Sequence, residues 1–419
     1  MTGTVTGTET GTETGTVLVA RLDNAGEVLL AGPAIRAVAA GARQVVLLTG
    51  PRGRPAGELL PGVSRVVEWR APWIDPTAPP VTGPHALRLL RIIRDTAPEQ
   101  ALILTSLHQS PLPLALVLRL AGTPRVAAVS ADDPGSLLDV RHLVDEDVDV
   151  PESERMLGLA RAAGFELPRG DSGGLAVRHP LPEVRHLTGP PGYVVVHPGT
   201  SVPARAWPAE RWARAVRDLV RSGRRVVVTG GRDEHGLTAR IAAGAGQHGL
   251  SPGPVFAGGW TGGGPARLRG WRVDEPAFTA GWVDGTCAAT GGRNWNGPSA
   301  AYGGQRGRSV VDLGGRTTFP ELAAVLAGAC AVVVADAGPA HLAAAVGTPV
   351  VSLFAPLAPA GRWAPYGVPV VILGDQRTPC RVTREGACAV AGHPCLSSVP
   401  SARVVEAVDH LTPVRETIR

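Results

Sequence analysis

The run ADAGPAHLAAAVGTPVVSLF, residues 335–354, sets an acid, a small-residue turn and a histidine at the start of a helix. A strand is expected to end at Asp336, and the turn Ala337-Gly338-Pro339 to open a helix that carries His341 in its first turn. Unpaired backbone N–H groups at a helix start, with the helix dipole behind them, bind phosphate oxygens. Gly338 lets a ligand approach the backbone, and His341 can donate to a phosphate oxygen. A second run, HPGTSVPARAWPAERW (197–212), ends a strand in a loop with Thr200, Ser201 and Arg205. Hydroxyls and a guanidinium in that place suit a diphosphate. In the third, VVVTGGRDEHGLT (226–238), Gly230 and Gly231 allow close approach and Glu234 opens a helix, where a carboxylate can hold a ribose hydroxyl. The fourth, RLDNAGEVLLAGPAIRAV (21–38), delivers Asp23 and Glu27 to the end of the first strand, and Glu27 can take a proton from a hydroxyl. Each run also has a plainer reading. Asp336 could simply cap a turn, Arg205 could be a solvated loop residue, and Glu27 and Glu234 could do no more than complement a helix dipole.

The elements that must hold these residues alternate. Strands are expected at 17–21, 44–50, 101–106 and 125–130, with one helix carrying Val28, Leu29, Ile35 and Val38 and another over 112–120. A loop at 187–192 separates a second alternation. Its strands are expected at 193–199, 225–231, 310–315, 331–336 and 349–354, and its helices at 208–222, 234–243, 320–327 and 339–346. Thr318 is placed to cap the third of these helices, with Pro320 in its first turn. Strands alternating with helices give parallel βαβ units. The fold class is therefore α/β, with two Rossmann-like domains facing across a cleft, the architecture called GT-B. A ligand then lies at the carboxyl ends of the strands. The expected divisions are a disordered tail over 1–15, an acceptor-side domain over 16–186, a nucleotide-binding domain over 187–400, and a C-terminal helix and tail over 401–419. Residues 250–308, rich in glycine and tryptophan and without helical or strand period, read as a disordered insertion. The final helix, 402–411, is expected to pack back across the domains.

Composition narrows the function classes. The chain has 419 residues, too many for one typical core, and 18% of them are charged, which suits a globular protein. All 41 basic residues are arginines, scattered and not clustered into an arm, so nucleic-acid binding is disfavoured. The net charge of +5 fits an anionic donor or work near anionic lipids. The longest apolar run, Leu112–Leu118, is far short of the ~20 residues of a membrane span. No basic and apolar leader opens the chain, so a cytoplasmic enzyme, in peripheral contact with the membrane at most, is expected. Five cysteines do not suggest a disulfide scaffold. Cys380, Cys388 and Cys395, with His393 nearby, lack the CxxC spacing of a structural zinc site, so no metal is expected.

The four runs, in this order and spacing, resemble the bacterial glycosyltransferase family 9 of ADP-heptose:lipopolysaccharide heptosyltransferases. TSLHQSPLPLALVLRLAG (105–122) and DDPGSLLDVRH (132–142) look like the acceptor-side domain of its actinobacterial branch. The resemblance implies inversion at the anomeric carbon without a metal, and a nucleotide-sugar donor, ADP-heptose, in place of any cofactor. Glu27 falls where that family has its catalytic carboxylate, more often Asp. Thr200, Ser201 and Arg205 match the diphosphate-binding loop, where Lys is usual at the position of Arg205. Gly230 and Glu234 fall on the nucleoside side. Asp336, Ala337, Gly338 and His341 match the phosphate-binding turn, where Thr often stands in place of Ala337. The implied catalytic set is Glu27, Arg205 and His341, and the implied acceptor a cell-envelope glycan or glycolipid. Competing readings are a GT-B enzyme using another NDP-sugar, an epimerase, or a nucleotide-sugar binding protein without turnover. A dinucleotide-dependent oxidoreductase would need GxGxxG after the first strand, where DNAGEV stands instead.

Overall fold

The computed structural model describes residues 14–75, 77–106, 109–145, 148–246, 309–335, 338–378, 388, 390 and 392–412. The chain divides into one unit of 1–245 with 306–419 and another of 246–305. The second unit, and with it the expected insertion, lies outside the described residues except for Gly246. So do residues 1–13 of the expected tail.

Two six-stranded sheets, all parallel, build the first unit. The strands of the first sheet are β1 (Thr14–Arg21), β2 (Ala42–Thr49), β3 (Arg65–Glu68), β4 (Gln100–Ile103), β5 (Arg125–Val129) and β6 (Val140–His142). They lie in the order β3-β2-β1-β4-β5-β6. The second sheet has β7 (Tyr193–His197), β8 (Val226–Val228), β9 (Val310–Asp312), β10 (Ala329–Ala335), β11 (Val350–Leu353) and β12 (Val370–Leu373), in the order β12-β11-β10-β7-β8-β9. In each sheet the order reverses at one place, between β1 and β4 and between β7 and β10. A crevice opens at such a reversal, outside the strand carboxyl ends, because successive connections leave in opposite directions.

The period-2 alternation of the strands sorts the core into layers. Leu18 and Ala20 of β1 join the outer face of the first sheet, with Val46, Leu48 and Ile103. Val194 and Val196 of β7 join the outer face of the second, with Trp207, Trp212 and Leu219. The inner faces share one apolar cluster. Val17, Val19, Val28 and Leu29 belong to it on one side, Val195, Val332, Leu342 and Ala343 on the other. The helices of the inner layer, Ala25–Leu30, Arg54–Leu59, Phe319–Ala327 and Gly338–Ala345, therefore form the seam between the two halves. Arg362 extends the seam at one edge, its Nε 2.8 Å from Asp149 Oδ1. Tyr366 Oη donates to Glu154 Oε1 at 3.0 Å nearby.

Several expectations need correction. β1 begins at Thr14, before the expected start of order, because Thr14 to Arg21 all pair with β2 within 42–49 and Gly15 N–H donates to Glu99. The helix expected as one piece over Val28–Val38 is two, broken at Ala31. Pro33 has no N–H to give Leu29 and its ring crowds that carbonyl, so the first helix stops and a second starts with proline at its beginning. The strand expected to reach Ser106 ends at Ile103, and 104–106 run on as irregular chain. The final helix, Ser401–Leu411, does not cross the domains. Val404, Ala407 and Val408 fill the outer face of the second sheet, and Asp409 pairs with Arg224 at 2.6 Å. Thr318 caps its helix as expected, in a reciprocal box with Glu321. Among the described residues no helix is long and apolar enough to cross a membrane.

Trp212 is fully buried and packs edge-to-face on Trp207 with ring centroids 5.0 Å apart. Truncation there removes the largest side chain of the outer core. Trp212→Ala is expected to cost about 3–5 kcal/mol of stability, read as a lower midpoint in urea unfolding with the native circular-dichroism spectrum retained in buffer.

Candidate active site at the seam

Both sheet reversals open toward the same seam. From the first, β1 leads into Asp23, Asn24 and the short helix Ala25–Leu30 that carries Glu27. Asn24 Oδ1 caps this helix by accepting from Gly26 N–H at 3.0 Å. From the second, β10 leads into the helix Gly338–Ala345, and β7 into the loop of Thr200, Ser201 and Arg205.

The two helix starts meet. A methyl group placed on Gly26 would lie 3.0 Å from Gly338 Cα and 3.2 Å from His341 Cδ2. The contact is thus backbone against backbone: a Cβ at Gly26 would press on Gly338, whereas one at Gly338 would lie in ordinary contact, 3.4 Å from Gly26 N. Two helix N-termini converging on one place make a site of positive potential without a metal or a cluster of cations.

Glu27 is half-buried beside this contact. Withdrawal from water pushes its carboxyl up from 4.5 to about 7, and the negative charge of Asp23 adds to the rise. Arg21, its own backbone N–H and Arg205 pull the other way. His341 is 7% exposed, and burial, helped by the charge of Arg205, lowers its imidazole to about 4. It is neutral at pH 7. Its Nδ1 is buried with no hydrogen-bond partner among the described residues. The field of Arg205 acts on both Glu27 and His341, so the structure gathers these three with Gly338 from three separate runs.

Asp23 is firmly held. Arg21 Nε lies 3.1 Å from Asp23 Oδ2, and Gln109 Nε2 donates to Asp23 Oδ1 at 2.6 Å. Arg21 is fully buried and also donates to Leu104 O and Ser106 Oγ. Gln109 accepts from Ser106 N–H at 2.9 Å. This buried network ties the end of β1 to the loop after β4 and was not singled out from the sequence. Gln109 and Asp23 are 86 positions apart, and no local pattern joins them.

The remaining residues are placed apart from that contact. Thr200 is half-buried, and its Oγ1 accepts from Val202 N–H at 3.3 Å, while Ser201 is exposed. Glu234 does not open the α-helix as expected. It ends a 3₁₀ turn, Arg232–Glu234, and the helix begins at His235. Its carboxylate turns back to accept from Gly231 N–H at 2.7 Å and lies against Gly199 and Gly230, so a Cβ at Gly199 would displace it. His197 lies 3.7 Å from the same carboxylate and 3.0 Å from Thr229 Oγ1. Burial lowers the His197 pKa while Glu234 opposes the fall. His197 was visible in the HPG run, but only the strand order shows that it faces Glu234. Asp336 and Ala337 lie outside the described residues, as does Cys380.

Comparison with known proteins bears on this arrangement. The model of glycosyltransferase family 9 (heptosyltransferase) matches residues 87–251 and 299–391, more than half of the chain. Lipopolysaccharide heptosyltransferase 3 of Escherichia coli is 38% identical over 111 residues, 26% of this chain and 31% of that protein. The match thus spans about a third of the length of that relative. ADP-heptose lipopolysaccharide heptosyltransferase II of E. coli superposes with a TM-score of 0.62 at 17% identity, covering 94% of this chain and 98% of that one. A family 9 glycosyltransferase of Veillonella parvula gives a TM-score of 0.63 at 14% identity, covering 96% and 98%. An E. coli heptosyltransferase with ADP-2-deoxy-2-fluoro heptose gives 0.58 at 18%, covering 94% and 99%. The two sheets thus form a GT-B fold, and the chain belongs to glycosyltransferase family 9, the heptosyltransferase family.

Proposed function

We propose that the protein is an inverting, metal-independent glycosyltransferase that moves a sugar, heptose from ADP-heptose, to a hydroxyl of a cell-envelope glycan. The observation that supports the reading is the meeting of Gly26 with Gly338 and His341, which brings the helix of Glu27 in one half against the helix of His341 in the other. The E. coli heptosyltransferase with a fluorinated ADP-heptose supports the choice of donor, and the E. coli relative named for lipopolysaccharide supports the class of acceptor.

The chemistry is a single displacement. Glu27 accepts the proton of the acceptor hydroxyl as its oxygen attacks the anomeric carbon. The bond to the diphosphate breaks, and the charge growing on the departing oxygen is met by Arg205, the amides that open the helix at Gly338, and His341. A neutral His341 acts as an N–H donor, not a cation. A base with a pKa near 7 combines availability with proton affinity at neutral pH. Thr200 and Ser201 would hold the diphosphate. Gly230 and Glu234 would face the nucleoside, and Asp336 and Ala337 would complete the phosphate turn.

The first test is calorimetric titration of ADP, UDP, GDP and their sugars in EDTA, on wild type and Arg205→Ala. ADP and ADP-heptose are expected to bind without metal, and the variant to bind about 10–100-fold more weakly, since a charge-assisted bond to a phosphate is lost. Preference for UDP or GDP would discard heptose as donor. No binding of any nucleotide would sink the reading.

The second test uses Glu27→Gln. Transfer is expected to fall about 10²–10⁴-fold, while ADP affinity holds and thereby separates a base from a binding residue. In wild type, kcat/KM should fall as pH drops through about 7, when Glu27 gains its proton. Stability gives an independent check. The folded-state pKa is raised, so stability from the protonated carboxyl is present below about 4.5 and lost as pH rises to about 7. Glu27→Gln should therefore melt a few degrees above wild type at pH 8 and level with it at pH 4. Equal melting at pH 8 would mean that the carboxylate is not held out of water.

A further inference from the structure

Beyond the donor site, the first half holds a cavity of about 180 Å³ at the carboxyl ends of β4, β5 and β6. We propose that this cavity is the acceptor subsite and that it takes an electrically neutral sugar ring, without carboxylate or phosphate. The acceptor role rests on the transfer reading above. The charge class rests on the lining itself.

Position comes first. Gln109 lines the cavity, and the same side chain donates to Asp23. Asp23 in turn acts electrostatically on Glu27. Ser106, also in the lining, is held by Arg21. A ring seated here is one hydrogen-bonded link from the carboxylate pair at the end of β1, on the acceptor side of the seam.

The chemistry of the wall is that of a polyol site. Thr105, Ser106, Ser110 and Ser130, all hydroxyl-bearing, line the cavity together with Gln109. Ser106 Oγ accepts from Arg21 and Ser130 Oγ donates to Asp132 O, so each has hydrogen-bonding capacity left. Arg155 is 4% exposed and lines the same space, and its Nη1 is buried with no hydrogen-bond partner among the described residues. A buried donor left unmade is costly, and a ligand oxygen would relieve it. At about 180 Å³ the cavity is smaller than the ~300–1,000 Å³ of drug-sized sites, so one small ring fits and a long chain does not. A narrow crevice sharing Thr105, Gln109 and Ser110 leads on to Trp73, whose flat apolar face suits the C–H face of a sugar.

The charge balance excludes an acidic ring. Arg155 is already matched by Glu152, itself fully buried, with Nη2 2.8 Å from Oε2 and a further bond to Thr105 O. Arg141 lies behind the wall, spending its donors on the carbonyls of Ser130 and Ala131. Asp132 is in the lining. Among the described residues, two arginines against two carboxylates leave no surplus positive charge, so an anionic sugar would meet Asp132 unbalanced. A hydroxyl needs only the spare Nη1 donor and the serine oxygens.

The test is saturation-transfer NMR on the full chain with the methyl glycosides of glucose, galactose and mannose, each beside the methyl glycosides of glucuronic and galacturonic acid. At least one neutral glycoside is expected to be saturated, with the acids at least about tenfold weaker. The neutral signal should vanish in Ser110→Phe, which fills the mouth from an exposed position and should leave the melting temperature unchanged. Acids that bind as well as or better than the neutral rings overturn the charge class. A neutral signal that survives Ser110→Phe overturns the location. ADP is titrated on the same sample. ADP binding with no glycoside binding overturns the cavity assignment alone, whereas failure to bind ADP overturns the transfer reading on which the acceptor role rests.

Discussion

The approach of Gly26 to Gly338 constrains everything around the site. The two helix starts come this close because Gly26 carries no Cβ to press on Gly338 and His341. The requirement spreads along the seam. The helix Gly338–Ala345 is built of glycine, proline, alanine, one histidine and one leucine, so its backbone can lie close to its neighbour. Ala340, Ala343 and Ala344 enter the same apolar cluster as Val28 and Leu29. Small residues here trade side-chain burial for backbone proximity. The apolar area is recovered elsewhere, in Leu and Val layers on the outer faces and at Trp207 and Trp212.

That proximity sets the electrostatics. The closing of the two halves takes Glu27 and His341 out of water together, and burial moves both toward their uncharged forms. Arg205 opposes the change at Glu27 and reinforces it at His341. A neutral imidazole and a carboxyl that titrates near 7 are what results at working pH. An anion arriving between the helix starts would favour protonation of His341 and weaken the pull of Arg205 on Glu27, so in the proposed reaction donor binding and base strength would be coupled through one guanidinium.

Much of this was legible in the sequence, in proportion to how local the cause was. Runs such as YVVV before His197 and VVVA before Asp336 mark buried parallel strands, and the residues after each strand mark the crevice. Thr318 and Glu321 announced their cap at the required spacing. Element ends were less legible, because they depend on pairing partners. β1 runs back to Thr14 because β2 is there to receive it, and Pro33 divides a helix that apolar periodicity alone would continue. β3, β6, β12 and the helix Gly83–Thr96 escaped, being short or only partly buried. Least legible were contacts between distant residues. The Arg21–Asp23–Gln109–Ser106 network and the bond of Arg155 to Thr105 O exist only once β1, β4 and the helix Glu152–Ala162 are side by side.

That network separates the duties of two neighbouring carboxylates. Asp23 has one oxygen against Arg21 and the other bound by Gln109, so both of its faces are engaged within its own half. Glu27 lies beyond it, where the other half closes, and carries the strongly raised pKa of the pair. Asp23 contributes to that rise by its charge, which requires it to stay fixed at one distance. A mobile Asp23 could turn away or be solvated, and its effect on Glu27 would fade with distance and screening. In the proposed reaction Asp23 is therefore the anchored charge and Glu27 the group that moves a proton. Paired acids divided by environment into unlike roles follow the same rule. The anchor also fixes the floor of the acceptor cavity, because Gln109 holds Asp23 with its amide N–H and Ser106 with its carbonyl. In the proposed reaction, a change in that cavity would reach Glu27 through Gln109 and the charge of Asp23, which would couple acceptor binding to proton transfer.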